Sequence, residues 1–165
     1  MTKPLFIMCS LFTAIVALGS DHPAVRVAST DSVGPRPLER QTETAVTRDY
    51  LQAWRSMSDA LDQNRTDLLN QDFIGTAKEK LADTIREQAK LGIHTRYRDG
   101  AHDLQLVFYS PEGLSIQLLD TVEYAIEVLD RDKILATQHV RARYVAVLTP
   151  TEVRWKVRVF QAEPE

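Results

Sequence analysis

Cysteine is almost absent from this sequence of 165 residues, and its scarcity excludes several kinds of chemistry. The one cysteine, Cys9, lies inside an apolar run near the N-terminus. The rest of the chain therefore has no disulfide framework and no thiol nucleophile. The sequence also lacks a glycine-rich phosphate loop and a Gly-x-Ser-x-Gly elbow. Its four histidines show no metal-ligand spacing, so we predict no metal site and no cofactor.

An excess of basic charge is missing as well. The formal net charge is −3, whereas a nucleic-acid-binding domain is normally basic, so we expect no nucleic-acid partner. The hydrophobic content of 44% and the charged content of 26% are typical of a soluble globular protein. The length is sufficient for one domain with a proper core.

Long hydrophobic runs are confined to the N-terminus, where residues 5–18 are almost entirely apolar. Lys3 precedes this run, and Ala17-Leu18-Gly19 offers small residues at the two positions that a signal peptidase reads. We therefore predict a cleavable signal over 1–19 and a periplasmic or secreted protein. The alternative is an uncleaved N-terminal anchor, although the run is shorter than the roughly 20 residues of a membrane span.

Residues 20–43 lack a sustained hydrophobic period and contain Pro23, Pro35 and Pro37. Proline breaks helices, so this composition predicts a flexible tether. The folded domain is then expected over 44–162, and it begins with helical periodicity. Apolar residues at spacings of three and four predict helices over about 44–61 and 76–91. Their expected buried residues are Tyr50, Trp54, Met57 and Leu61 in the first helix, and Ala77, Leu81, Ile85 and Ala89 in the second.

After Gly92 the hydrophobic period changes to two, which is typical of strands with one apolar face. Helices followed by a meander of long strands predict an α+β fold in which the helices cover that apolar face. Strands this long accumulate twist, so the sheet is expected to curl into a cone. The apolar positions include Leu104, Leu106 and Phe108, then Leu118, Val122 and Tyr124, then Tyr144, Ala146 and Leu148, and finally Val153, Trp155, Val157 and Val159.

Four segments carry a resemblance to a known superfamily: Tyr50-Leu51-Gln52-Ala53-Trp54, Phe73-Ile74-Gly75-Thr76-Ala77, Arg143-Tyr144-Val145-Ala146-Val147-Leu148 and Val153-Arg154-Trp155-Lys156-Val157. On these segments the sequence resembles the nuclear transport factor 2-like superfamily, which includes ketosteroid isomerases, SnoaL-type polyketide cyclases and many non-enzymatic domains. It is most similar to membrane-side accessory domains, such as those of chloroplast-division proteins and the mitochondrial import motor. The resemblance spans roughly 45–160 and implies a cone fold, while a shared fold does not determine function.

Asp120 is the candidate for chemistry inside the cone. Strict alternation places it on the apolar face between Leu118 and Val122, where a carboxylate is costly unless it is hydrogen-bonded or paired. It then acts as a base or an anchoring acceptor in the cavity; alternatively, a bulge after Leu118 turns it toward water. No motif identifies a catalytic residue, and Tyr50 and Trp54 are equally compatible with a core position. The candidates for lining the cavity are Tyr50, Trp54, Asp120, Tyr124 and Tyr144.

The outer face of the predicted sheet mixes arginines with apolar residues, a composition that is typical of protein interfaces. The interface candidates are Arg143, Val145, Val147, Arg154, Arg158 and Phe160. The alternative is a plain charged surface with a few tolerated apolar residues.

Two functions follow from these patterns. The first is an exported, non-catalytic domain that binds a protein partner, or pairs as a homodimer, through the outer sheet face. The second is a small-molecule-binding protein, or an isomerase- or cyclase-type enzyme, that holds a small apolar ligand in the cone around Asp120. The sequence favours the first because no catalytic motif is present.

Overall fold

The computed structural model describes residues 23–28 and 34–163, which form an α+β domain as predicted. Two helices pack on a strongly curved sheet of six strands. The predicted signal segment, with Cys9, lies outside the described residues. In the part of the chain that is described, no helix is long and apolar enough to cross a membrane.

The first helix, α1, spans Arg40–Gln63 and begins four residues before the predicted start. Its apolar stripe faces the sheet, as the spacing of three and four predicts. The helix ends at Asn64, which has a left-handed backbone with φ 53°. The buried apolar residues of α1 are Val46, Tyr50, Ala53, Trp54, Met57, Ala60 and Leu61.

The second helix, α2, spans Gly75–Lys90 and follows a short 3-10 helix at Thr66–Leu69. Its buried face differs from the predicted one at its C-terminal end, where Ala89 is exposed and Gln88 is buried. The Gln88 amide donates hydrogen bonds to the Leu61 carbonyl oxygen and to Asn64 Oδ1, each at 2.6 Å. These bonds compensate for the burial of a polar side chain and join α2 to the end of α1.

The sheet has the order β1-β3-β4-β5-β6, and β2 also pairs with β3. The pairs β3–β4, β4–β5 and β5–β6 are antiparallel, whereas β1 and β2 run parallel to β3. The strands are β1 (Ala24–Ala28), β2 (Gly34–Pro35), β3 (His94–Tyr109), β4 (Ile116–Asp130), β5 (Lys133–Pro150) and β6 (Trp155–Ala162).

The segment predicted as a flexible tether differs from that prediction in three places. Residues Ala24–Ala28 and Gly34–Pro35 form strands that pair with residues 101–105 and 108–109 of β3, and Arg40 already belongs to α1. The reason is that β1 is stabilised by its pairing with a distant strand, which the local proline-rich composition does not reveal. β1 also covers one stretch of the edge of β3.

Three register shifts change which side chains face the core. Between Leu106 and Phe108 the shift turns Phe108 outward, so that it is 39% exposed, and buries Tyr109 instead. The alternation in the sequence predicts the reverse, with Phe108 on the inner face and Tyr109 on the outer face. A shift between Val147 and Leu148 in the β5–β6 pairing brings Phe160 to the inner face opposite Ala146 and turns Val159 outward opposite Val147, although the sequence predicted Phe160 outside and Val159 inside. Bulges of this kind insert one residue and reverse the alternation beyond it.

The third shift lies at Gly100 and has a steric cause. A Cβ atom at this position would lie 2.8 Å from the Glu123 carbonyl oxygen, which is closer than real Cβ atoms approach backbone atoms. Only glycine therefore fits the bulge in β3. Because of this bulge, His102 faces inward opposite Val122.

Candidate functional site

Asp120 lies at the centre of the inner face of the sheet and is fully buried, with 0% of its surface exposed. The β3–β4 and β4–β5 pairings have no register shift between Leu118 and Val122, so strict alternation decides its position. The Tyr50 hydroxyl donates a hydrogen bond to Asp120 Oδ2 at 2.9 Å. Two elements far apart in sequence, α1 and β4, thus meet at this carboxylate.

His102 is the third member of this buried cluster. Its Nδ1 lies 2.8 Å from the same Asp120 Oδ2. A carboxylate only accepts hydrogen bonds, so this nitrogen carries the proton and donates it. His102 was not among the predicted site residues, although it lies two residues before Leu104 on the apolar alternation. The signal was therefore available in the pattern of β3.

Three polar atoms in this region are buried without a hydrogen-bond partner among the described residues. They are Asp120 Oδ1, His102 Nε2 and the indole Nε1 of Trp54. Buried polar atoms of this kind are uncommon and call for an explanation in each protein. Here they identify the inner cluster as the place where a small polar group would find both donors and acceptors.

Burial raises the pKa of the Tyr50 phenol well above its ordinary value of 10.0, and the neighbouring Asp120 charge raises it further. Desolvation disfavours the ionised phenolate, and a nearby negative charge does the same. The Tyr50 hydroxyl therefore stays protonated at neutral pH and acts as a donor. Burial also raises the pKa of Tyr144, with a further contribution from its hydrogen bond to Tyr124.

Trp54 fills the middle of the cone above this cluster. Its indole ring makes edge or tilted contacts with five neighbouring rings, at centroid distances of 5.2 Å to His102, 5.4 Å to Tyr144, 5.4 Å to Phe160, 5.9 Å to Tyr124 and 6.3 Å to Tyr97. Tyr124 and Tyr144 join their hydroxyls at 2.9 Å. The five predicted cavity-lining residues therefore do come together, but as a packed aromatic cluster.

Three surface depressions have volumes of about 460, 400 and 290 Å³, and Asp120 lines none of them. The first lies over the strands β3, β4 and β5 and is lined by Arg98, Glu123, His139 and Arg141, among others. The third adjoins it, since Glu123 and Arg141 line both. The lining residues of both are mostly on the outer alternation of the sheet, and His102 also lines the third depression.

The six interface candidates do not share one face. Arg143, Val145 and Val147 follow one another on the outer alternation of β5, with Arg143 exposed and 3.0 Å from Glu163. Arg154 instead lies in the turn before β6 and pairs with the buried Asp72 at 2.9 Å.

The other two candidates also depart from the outer face. Arg158 is exposed beside Gly75 at the start of α2, because the β6 register shift displaces it. Phe160 is stacked on Tyr144 inside, at a centroid distance of 4.7 Å. Within the described residues, no cluster of three or more histidine, cysteine or acidic side chains is arranged to hold a metal ion.

No family model matches the sequence, and no curated protein matches it. Solved structures do match. The intermembrane space region of the chloroplast protein ARC6 aligns with 79% of this chain and 100% of its own, at 18% identity and a TM-score of 0.62.

Two bacterial proteins share the fold at lower similarity. A scytalone-dehydratase-like protein of Novosphingobium aromaticivorans aligns with 76% of this chain and 89% of its own, at 13% identity and a TM-score of 0.52. The protein Aln2 from a Streptomyces species aligns with 78% of this chain and 93% of its own, at 12% identity and a TM-score of 0.51. Identities this low establish architecture only. The chain shares the α+β fold of these proteins, with helices packed on a curved sheet.

Proposed function

We propose that this chain is a non-catalytic protein-binding domain that uses the outer face of its sheet. The observation that carries the proposal is the filled cone: Asp120 is fully buried, and the Trp54 ring occupies the space above it. A general base must come within hydrogen-bond reach of the proton it removes. Asp120 is instead held by two side chains of its own protein, Tyr50 and His102.

The outer face offers a surface that fits binding. Leu119 pairs across strands with Val145, and Val147 pairs with Val159, and all four residues are only half-buried. Arg143 is exposed next to them along β5. An arginine beside aliphatic surface is favoured at interfaces, because its stem packs while its guanidinium donates hydrogen bonds.

The first partner to consider is a second copy of the chain. Two identical faces come together about a two-fold axis, and each residue then contributes twice. The positive charge of Arg143 opposes this contact only weakly, since Glu163 pairs with it at 3.0 Å. The aliphatic pairs would then be buried between the two sheets.

Sedimentation equilibrium on the full chain tests the proposal. The variant Val147→Glu places a charge in the middle of the aliphatic surface, and Val153→Glu is the matched control because Val153 is 81% exposed in a turn. We expect the wild type and Val153→Glu to dimerise and Val147→Glu to be monomeric. A wild type that stays monomeric at every concentration would exclude a second copy of the chain as the partner. The partner would then be a different protein, which cross-linking in the native host would identify.

The proposal includes export, which is motivated by residues 5–18 and by the small residues up to Gly19. Sequencing the N-terminus of the protein recovered from its host should find Ser20 at or near the first position. A retained Met1 or Thr2 would instead favour an anchor or a protein that is not exported.

A second candidate function is a ligand site, or an isomerase- or cyclase-type reaction, inside the cone. The three unpaired polar atoms beside Trp54 favour it, because a ligand with one polar group would satisfy them. Native mass spectrometry of the protein from its host should show the mass of the bare chain under the first proposal. A bound small molecule that is lost in Asp120→Asn would establish the second candidate.

A further inference from the structure

One edge of the sheet is open over residues 133–142 of β5, which we call the free edge. β5 pairs with β4 along nearly its whole length, from Lys133 to Leu148. On its other side, the pairing with β6 begins only at Tyr144. Among the described residues, therefore, no strand covers the free edge.

The free edge has two of the features by which proteins protect such edges, a register shift at Leu135 and the charged residues Lys133 and Arg141, but it lacks the stronger ones. It contains no proline, and its first seven residues, 133–139, are all exposed, whichever face of the sheet they lie on. Ile134 is 50% exposed and Leu135 is 52% exposed. Natural sheets usually protect an edge with a covering segment, proline or inward charges, because unpaired backbone groups attract other strands.

We propose that the free edge binds an extended, acidic segment of a partner protein, which adds to the sheet as a further strand. The inference rests on the proposed role as a binding domain, but it places this contact on a different surface from the aliphatic outer face. Strand addition gains affinity from backbone hydrogen bonds and specificity from alternate side chains.

The acidic character of the partner follows from the charges along β5. Its 18 residues contain Lys133, Arg141 and Arg143 but no aspartate or glutamate. His139 and Arg141 alternate, so their side chains lie on the same, outer face beside the position of an added strand, whereas Arg143 lies beyond the free edge and pairs with Glu163. The depression of about 460 Å³, lined in part by Arg98, His139 and Arg141, continues from this face.

The present ion pair of Arg141 does not compete strongly with such a partner. Its Nε lies 3.6 Å from Glu123 Oε1, and the two side chains are 73% and 60% exposed. Exposed pairs of this kind contribute little to stability, so exchanging Glu123 for a partner carboxylate costs little.

The other face of the added strand would meet a different surface. Val140 and Ala142 are half-buried on the inner alternation and lead toward Tyr144 and the core. An added strand therefore gains most if its residues alternate between acidic ones outside and apolar ones inside. A second copy of this chain fits less well, because its own β5 has no carboxylate to offer the arginines.

The test uses the full chain and a synthetic peptide of about ten residues that alternates valine and glutamate. Hydrogen exchange reports the backbone directly, because amides that point off the free edge become protected when a strand is added. We expect the peptide to slow exchange within residues 133–142, and we expect no slowing with a peptide N-methylated at every amide, which has no backbone donor on either edge. The same sequence with lysine in place of glutamate should bind at least about fivefold more weakly.

Charge-reversal variants locate the contact. Arg141→Glu should lower the affinity for the acidic peptide by roughly fivefold or more, measured by fluorescence anisotropy. Arg86→Glu, an exposed arginine on α2, is the matched control and should leave the affinity unchanged. Val147→Glu should also leave it unchanged, which separates the free edge from the outer face.

Several results would overturn the inference. These are no protection by the acidic peptide, equal affinity for the lysine peptide, or an Arg141→Glu variant that binds like the wild type. Protection of the free edge in the chain by itself would mean that its own residues or a second copy already cover it. If the peptide fails to bind while Val147→Glu abolishes self-association, the proposed function stands and only the free-edge inference fails.

Discussion

The two halves of β5 differ in burial although both are rich in apolar residues. The half at 144–150 lies between β4 and β6, and its Ala146 and Leu148 are fully buried. The half at 133–139 pairs with β4 alone, and all its residues are exposed, including Ile134 and Leu135. The difference teaches that burial in this sheet depends on neighbours on both sides and not on apolar content alone.

This contrast separates stability from binding within one strand. The inner cluster around Trp54 and the paired half of β5 form the core. The half at 133–139, which has a neighbouring strand on one side only, adds little to the core, so it is free to contact another molecule. The predictions below test this separation, from the largest expected effect to the smallest.

Replacement of Trp54 by alanine should have the largest effect, since this ring contacts five others at the centre of the cone. Removal of a buried tryptophan leaves a cavity and costs about 3–5 kcal/mol in the free energy of unfolding. Urea denaturation of the full chain measures the loss. A change near zero would mean that the cone is open and that Trp54 is a mobile lid, which would favour the ligand site.

Two leucine replacements compare the halves of β5 directly. Leu148→Ala should cost about 2–5 kcal/mol, because the side chain is fully buried. Leu135→Ala, at 52% exposure, should stay within about 0.5 kcal/mol. Both are the same chemical change in the same strand, measured by the same denaturation. Equal losses would show that the exposed half is covered in solution.

Much of the fold follows from periodicity in the sequence. Spacings of three and four predict both helices, and alternation predicts the inner face of β4, including Asp120 between Leu118 and Val122. The register there is unbroken, so the pattern and the structure coincide. The helix boundaries differ by a few residues, since end positions depend on contacts such as the hydrogen bond from the Asn64 side chain to Ile93.

The features that the sequence does not reveal depend on tertiary contacts. A bulge reverses alternation by one residue, so Phe108, Tyr109 and Phe160 lie on faces that the local pattern does not predict. Arg154 reads as a surface residue until Asp72, 82 positions away, is placed beside it. The strand β1 likewise depends on its pairing with β3, which no local composition specifies.

The glycine bulge that positions His102 gives the third prediction. Gly100→Ala forces a Cβ atom against the Glu123 carbonyl oxygen at 2.8 Å, so the backbone must shift. Overpacking of this kind costs about 1–3 kcal/mol. Gly34→Ala is the matched control, because no atom lies within 4 Å of its Cβ position. Thermal unfolding should separate the two variants, and equal midpoints would show that the bulge adapts freely.

The smallest expected effect among the buried positions is that of Tyr50→Phe, which removes one hydroxyl and its hydrogen bond to Asp120. Asp120 Oδ2 keeps its contact with His102, so the loss near neutral pH should be about 1 kcal/mol. The pH dependence is more informative than this value. Burial, followed by the Asp120 charge, raises the folded-state pKa of Tyr50 above 10.0, whereas the unfolded chain has the ordinary value.

The sign of the pH effect follows from that difference in pKa. Below about pH 10 both states hold the phenolic proton, so the Tyr50 contribution to stability is fully present. As pH rises above about 10 toward the folded-state pKa, the unfolded chain ionises first and the contribution is lost. The wild type should therefore lose stability relative to Tyr50→Phe as the pH rises above about 10, measured by urea denaturation on both sides of that pH. Parallel curves would mean that water reaches the Tyr50 hydroxyl, and the inner face would then not be sealed in the way that distinguishes it from the free edge.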